Sequence, residues 1–139
     1  APLLDSLSRF HKADVVEVIG HTDAVPVGGR STLDRTLLQA YEQPAAESGL
    51  RAGSNVDLGI LRALTVIRYL REAQTDSILG RIDRFVPYSA GQMILPDGDL
   101  ASSADEALNP ARRRIEIRLR RKDDARRTTL DGPETVSAR

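Results

Sequence analysis

The chain has 139 residues and a mass of 15.2 kDa, enough for one domain and too little for two ordinary ones. It is 40% hydrophobic and 29% charged, which supports a buried core and excludes a disordered polar tail, and its lack of cysteine excludes disulfides, thiol catalysis and cysteine-ligated zinc. Net charge is zero, yet residues 1–110 carry ten basic and fifteen acidic side chains and residues 111–139 ten basic and five acidic, so a basic end follows an acidic body.

Leu3, Leu4, Leu7 and Phe10 recur at helical spacing and predict the end of a helix over residues 3–10. Asp14 to Gly20 is a β-branched run suited to a buried strand, and His21-Thr22-Asp23 follows at its carboxyl end, where α/β layouts place ligands. Residues 24–54 read as a long insert. Pro26, Gly28 and Gly29 break regular structure, Ser31-Thr32-Leu33-Asp34 offers a capping box, and Leu33, Leu37, Leu38 and Tyr41 form the stripe of a short helix suited to local packing. The strongest helix runs from Asn55 to Glu72, with Ser54 as N-cap and Ala63, Val66, Ile67 and Leu70 facing the core. Gly59 weakens that helix by about 1 kcal/mol against Ala and leaves room for a close neighbour.

A second strand is expected over Arg81–Tyr88, then a turn-rich stretch to Asp99 and a short helix over Ala101–Leu108 that stops before Pro110. Ile115, Ile117 and Leu119 alternate with Glu116, Arg118 and Arg120, the pattern of a half-buried strand, and from Lys122 onward a polar tail is expected. The order is that of an α+β fold, an α/β sandwich with a small mixed sheet and helices on one face.

The sequence offers little to catalysis. There is no G-x-S-x-G elbow, Gly28-Gly29 is not followed by a phosphate-binding Lys, and His21 has only His11 as a possible second imidazole, so a supporting role for His21 is favoured over metal binding. The Arg112–Arg114 and Arg118–Lys122 run is interrupted by Glu116. With only five aromatic residues to stack on bases, nucleic-acid binding is not expected.

Three clusters then stand out in order: Gly20-His21-Thr22-Asp23 on a strand end; Asn55, Leu58, Arg62, Ala63, Val66 and Leu70 on a helix; and Arg113-Arg114-Ile115-Glu116-Ile117 on a last strand. Together they resemble the OmpA/MotB-like peptidoglycan-binding domain over residues 3–121. The resemblance implies a β-α-β-α-β core with the long insert after the first strand, a domain over residues 1–121 (insert about 24–54) and a tail over 122–139. It implies that Asp23 and Arg62 grip the diaminopimelate of the peptidoglycan stem peptide, with Thr22, Asn55 and Arg113 beside them. A zwitterionic amino-acid head asks for one anion and one cation close together, and a guanidinium holds a carboxylate with two prongs.

Gly59 stands where the family usually has Ser, Arg112 where it has Asn, with Asn109 the nearest Asn, and Gly91-Gln92 only loosely represents its Gly-Glu element. The His21-Thr22-Asp23-Ala24-Val25-Pro26 and Ser54-Asn55 runs are similar to the flagellar-stator branch. That branch implies a periplasmic, non-enzymatic domain without cofactor or metal. It also implies an inner-membrane anchor upstream of Ala1, a homodimer, a membrane-embedded partner subunit and no nucleic acid. The alternative is an assembly module of an envelope complex whose cleft no longer holds ligand.

Overall fold

The computed structural model describes residues 13–43, 49–73 and 82–122. The helix expected over residues 3–10 and the tail beyond Lys122 lie outside them. The elements are β1 (Val15–His21), α1 (Leu33–Glu42), α2 (Asn55–Ala73), β2 (Arg84–Gly91), a 3-10 turn (Pro110–Arg112) and β3 (Arg114–Arg120). The sheet order is β2-β1-β3, with β2 parallel and β3 antiparallel to β1. This is a small mixed sheet in an α+β fold. None of the described helices is long and apolar enough to cross a membrane.

Strand β1 is central because it is apolar on both faces: Val15, Val16, Val18 and Ile19 are all buried. Val16 and Val18 meet Ala63 and Ile67 of α2 and Phe85 of β2, and Ile115 and Leu119 of β3 pack against that cluster. Burying each large apolar side chain there is worth roughly 1.5–3 kcal/mol. Helix α2 starts as its sequence predicts: Ser54 Oγ accepts the backbone N–H of Asp57 at 3.1 Å, and the Asp57 carboxylate accepts that of Gly53 at 2.8 Å.

Gly20 and Gly59 set how closely β1 and α2 approach. A Cβ on Gly20 would collide with the Gly59 carbonyl, and one on Gly59 would meet Ser89 Oγ and the Gly20 carbonyl. The glycine that weakens α2 as a helix is what lets it lie directly on the strand.

Four expectations need correction. The second strand is Arg84–Gly91, starting and ending three residues later than expected, because β2 is an edge strand and tolerates Pro87 within it. No helix forms over Ala101–Leu108. There Asp105 Oδ2 accepts the N–H of Ser102 at 2.7 Å and Ser102 Oγ that of Ala104 at 3.2 Å, side-chain bonds that compete with a helix, and Leu100 and Leu108 have no face to bury. The capping box at Ser31–Asp34 does not close: Thr32 is the N-cap and makes no side-chain cap bond, while Ser31 Oγ accepts the N–H of Leu33. Leu38, placed in the inner stripe of α1, is 79% exposed, and Ala40 is buried instead.

Within the 24–54 insert, α1 is tied to the body at its end. The Tyr41 hydroxyl donates to the Phe85 carbonyl at 2.6 Å. Arg71 of α2 donates to the Tyr41 carbonyl at 2.6 Å and lies over the Tyr41 ring, 4.1 Å from its centre.

Candidate functional site

The end of β1 is buried and polar: His21, Thr22, Asp23 and Asn55 are each less than a tenth exposed. Thr22 continues the parallel pairing through its N–H to the Gly91 carbonyl at 2.8 Å, and its hydroxyl donates to the Asp23 carbonyl at 2.8 Å. Asn55, at the first turn of α2, donates through Nδ2 to the Val25 carbonyl at 3.0 Å. These two residues hold the loop that carries Asp23.

Asp23 accepts from three donors. Its Oδ1 takes the Val25 N–H at 3.2 Å, and its Oδ2 takes the Asn109 N–H at 3.3 Å and Arg113 Nε at 2.9 Å. Burial pushes the Asp23 carboxyl up, but the Val25 and Asn109 amides and the Arg113 guanidinium outweigh it and hold the group below its ordinary value. The pair is asymmetric: the Arg113 side chain is 41% exposed and that of Asp23 6%.

Arg62 reaches the same strand end from α2, donating from Nη1 to the His21 carbonyl at 3.3 Å. It does not bond to Asp23. The Gly20–Gly59 contact explains the placement, since Arg62 is one turn beyond Gly59. Arg62 and Arg113 then line one open groove of about 440 Å³ between α2 and β3, with Thr65, Val66, Arg114 and Ile115. All five site residues expected from sequence, Thr22, Asp23, Asn55, Arg62 and Arg113, thus gather at the carboxyl end of β1.

His21 links the end of β1 to β3. It is fully buried, its Nε2 lies 3.0 Å from Glu116 Oε1, and Glu116 Oε2 accepts from Arg118 Nε at 2.8 Å. Arg118 first, and then His21, hold the Glu116 carboxyl below its ordinary range against the opposing effect of burial. Among the described residues no cluster of three or more His, Cys, Asp or Glu could hold a metal ion.

The departures at Asn109 and Arg112 resolve into structure. Arg112 is 1% exposed and donates to the carbonyls of Glu106 and Gln92 at 2.9 and 2.7 Å. Arg114 donates to those of Ile94 and Leu95 at 3.3 and 3.0 Å. Two of the three consecutive arginines therefore staple the long loop before β3, while the middle one pairs with Asp23. Asn109 contributes its backbone N–H to Asp23 and caps the 3-10 turn through Oδ1. No sequence signal separates these three arginine roles, because they depend on carbonyls supplied by an irregular loop.

In comparisons with known proteins, no family model, curated protein or solved structure matches the chain.

Proposed function

We propose that the chain is an OmpA/MotB-like domain that binds peptidoglycan without catalysis, through the diaminopimelate of the stem peptide, and so tethers a membrane-anchored complex to the cell wall. One observation carries the reading: the guanidinium of Arg62 and the Asp23–Arg113 pair, far apart in the chain, meet at one end of β1 beside an open groove. Opposite charges held by packed elements suit a ligand with a charged amino-acid head. In this reading the domain is periplasmic, works as a homodimer beside a membrane-embedded subunit, and needs no cofactor or nucleic acid.

The test is co-sedimentation with purified diaminopimelate-type peptidoglycan. The parent protein and an Arg35→Ala control, altered on the exposed side of α1, sediment with the wall, whereas Arg62→Ala stays in the supernatant with an unchanged circular-dichroism spectrum. Lysine-type wall, which lacks the side-chain carboxylate, retains less protein. Equal sedimentation of the parent and Arg62→Ala overturns the reading. Because Arg113 is partly exposed, retention falls as salt rises.

A further inference from the structure

The insert closes on itself around α1. The Thr32 N–H donates to the Arg51 carbonyl at 3.0 Å, and the Arg51 N–H donates to Thr32 Oγ1 at 2.9 Å, so the chain leaving the insert returns to the start of α1. At its other end α1 is tied through Tyr41 to the Phe85 carbonyl and to Arg71 of α2.

A cavity of about 170 Å³ lies between α1 and α2. Ala40 and Tyr41 line it from α1, Leu61, Leu64 and Ile67 from α2, and Leu50 from the returning chain. An apolar cavity of about 150 Å³ stays dry and takes up a molecule the size of benzene, and until it is filled its walls lack the packing contacts of a dense interior. This space is separate from the groove of Arg62 and Arg113, with which it shares only Thr65.

The charge on its walls has one sign. Arg68 and Arg71 line the cavity and no acidic side chain does. Arg71 is half-buried, its guanidinium lies 4.1 Å from the centre of the Tyr41 ring, and its Nη1 donates to the Tyr41 carbonyl at 2.6 Å. Its Nε and Nη2 have no partner among the described residues. A guanidinium fixed by a ring and a carbonyl, with donors left over beside apolar walls, suits a carboxylate attached to an apolar body. A cationic ligand meets only like charge there.

We propose that this cavity binds a small acid whose carboxylate is carried on a single ring or a branched alkyl group, with the apolar body among Leu61, Leu64 and Ile67 and the carboxylate on Arg71, and that the ligand clasps the insert helix to the body. The site is independent of the proposed wall binding, because none of Thr22, Asp23, Asn55, Arg62 and Arg113 lines it. Filling the cavity gains packing on both helices at once, and the acid gains a charge-assisted bond to a guanidinium that is already oriented.

The experiment titrates the ¹⁵N-labelled chain with benzoate, benzyl alcohol and benzylamine, followed by NMR. Benzoate shifts the amides of residues 40–41, 50 and 61–71 saturably with a dissociation constant of about 1 mM, benzyl alcohol binds about tenfold more weakly, and benzylamine causes no shifts. Arg71→Gln brings benzoate down to the affinity of the alcohol. Ala40→Leu, which puts a larger side chain into the space, weakens benzoate at least tenfold while the β1 amides keep their positions. Arg62→Ala, which removes the guanidinium of the other groove, leaves benzoate affinity unchanged. With benzoate at about ten times its dissociation constant, amide exchange in α1 slows about tenfold and that in β1 does not change.

Equal binding of all three compounds overturns the proposal, as does benzoate affinity that survives both Arg71→Gln and Ala40→Leu. Shifts centred on residues 113–117 and lost in Arg62→Ala place the acid in the other groove and also overturn it. Benzoate that saturates the cavity without slowing exchange in α1 overturns the clasp.

Discussion

The guanidinium of Arg113 meets the carboxylate of Asp23 at 2.9 Å across 90 residues of chain, with the acid buried and the base half in solvent. An exposed pair of this kind contributes little to stability, and a fully buried one carries a large desolvation penalty. Here the acid is held mainly by the backbone, through the Val25 and Asn109 amides, so the arginine is oriented while about two-fifths of its side chain stays in solvent.

That arrangement predicts acid sensitivity. The Asp23 and Glu116 carboxyls are held below their ordinary values in the folded protein, so the unfolded chain takes up protons first as pH falls. Their contribution is complete above the unfolded-state values and is lost as pH drops below about 4 and through the lower folded-state values. Urea midpoints measured from pH 6 down to pH 3 fall for the parent. They fall less steeply for Asp23→Asn, and least for Asp23→Asn with Glu116→Gln. Parallel curves for all three contradict the assignment.

Arg112 is a structural arginine. Arg112→Met removes two charge-assisted bonds and strands the Gln92 and Glu106 carbonyls, at a cost of about 2–4 kcal/mol in chemical denaturation. Arg112→Lys recovers little, since one ammonium cannot copy the fork that spans two carbonyls. Hydrogen exchange accelerates over residues 92–108 before it does in α2.

The close approach of Gly20 and Gly59 predicts an inversion of helix propensity. Ala is the better helix residue by about 1 kcal/mol, yet Gly59→Ala destabilises by roughly 1–3 kcal/mol because its Cβ meets Ser89 Oγ and the Gly20 carbonyl. Gly20→Ala is worse, since its Cβ meets only backbone atoms of Gly59. Thermal denaturation of the two variants ranks them.

One of the ties that hold the end of the insert helix depends on a single atom. Tyr41→Phe deletes the hydroxyl that donates to the Phe85 carbonyl and lowers stability by about 1 kcal/mol. Amide exchange rises in α1 and stays unchanged in β1. A uniform rise across both shows that α1 is not a separately releasable unit.

What the sequence made legible follows from how local each signal is. β1, α2 and β3 are readable because β-branched runs, i/i+4 stripes and strict alternation report burial directly, as at Val15–Ile19, Ala63/Ile67 and Ile115/Leu119. The stretch over Ala101–Leu108 misleads because helical spacing without a surface to cover yields to Ser102 and Asp105 bonding their own backbone. The five residues that gather at the end of β1 were picked out through their positions in a three-part pattern. Their separate tasks were not, because whether Asp23 faces a ligand or an arginine is decided by loop carbonyls and amides that carry no sequence code. Arg112, Arg113 and Arg114 make the point most sharply: three identical neighbours with three different sets of partners.

The central strand takes its antiparallel neighbour from the far side of the chain, with His21 set opposite Arg114. During translation, β1, α2 and β2 all leave the ribosome before the arginines that fasten the intervening loop and balance Asp23. The nascent chain therefore carries its main apolar contacts early, while one edge of β1 and its terminal acid wait for a partner. The Asp23–Arg113 pair can close only once the start of β3 has emerged, so a message truncated just before Arg112 would yield a product with β1, α2, β2 and Arg62 but with Asp23 lacking its guanidinium partner.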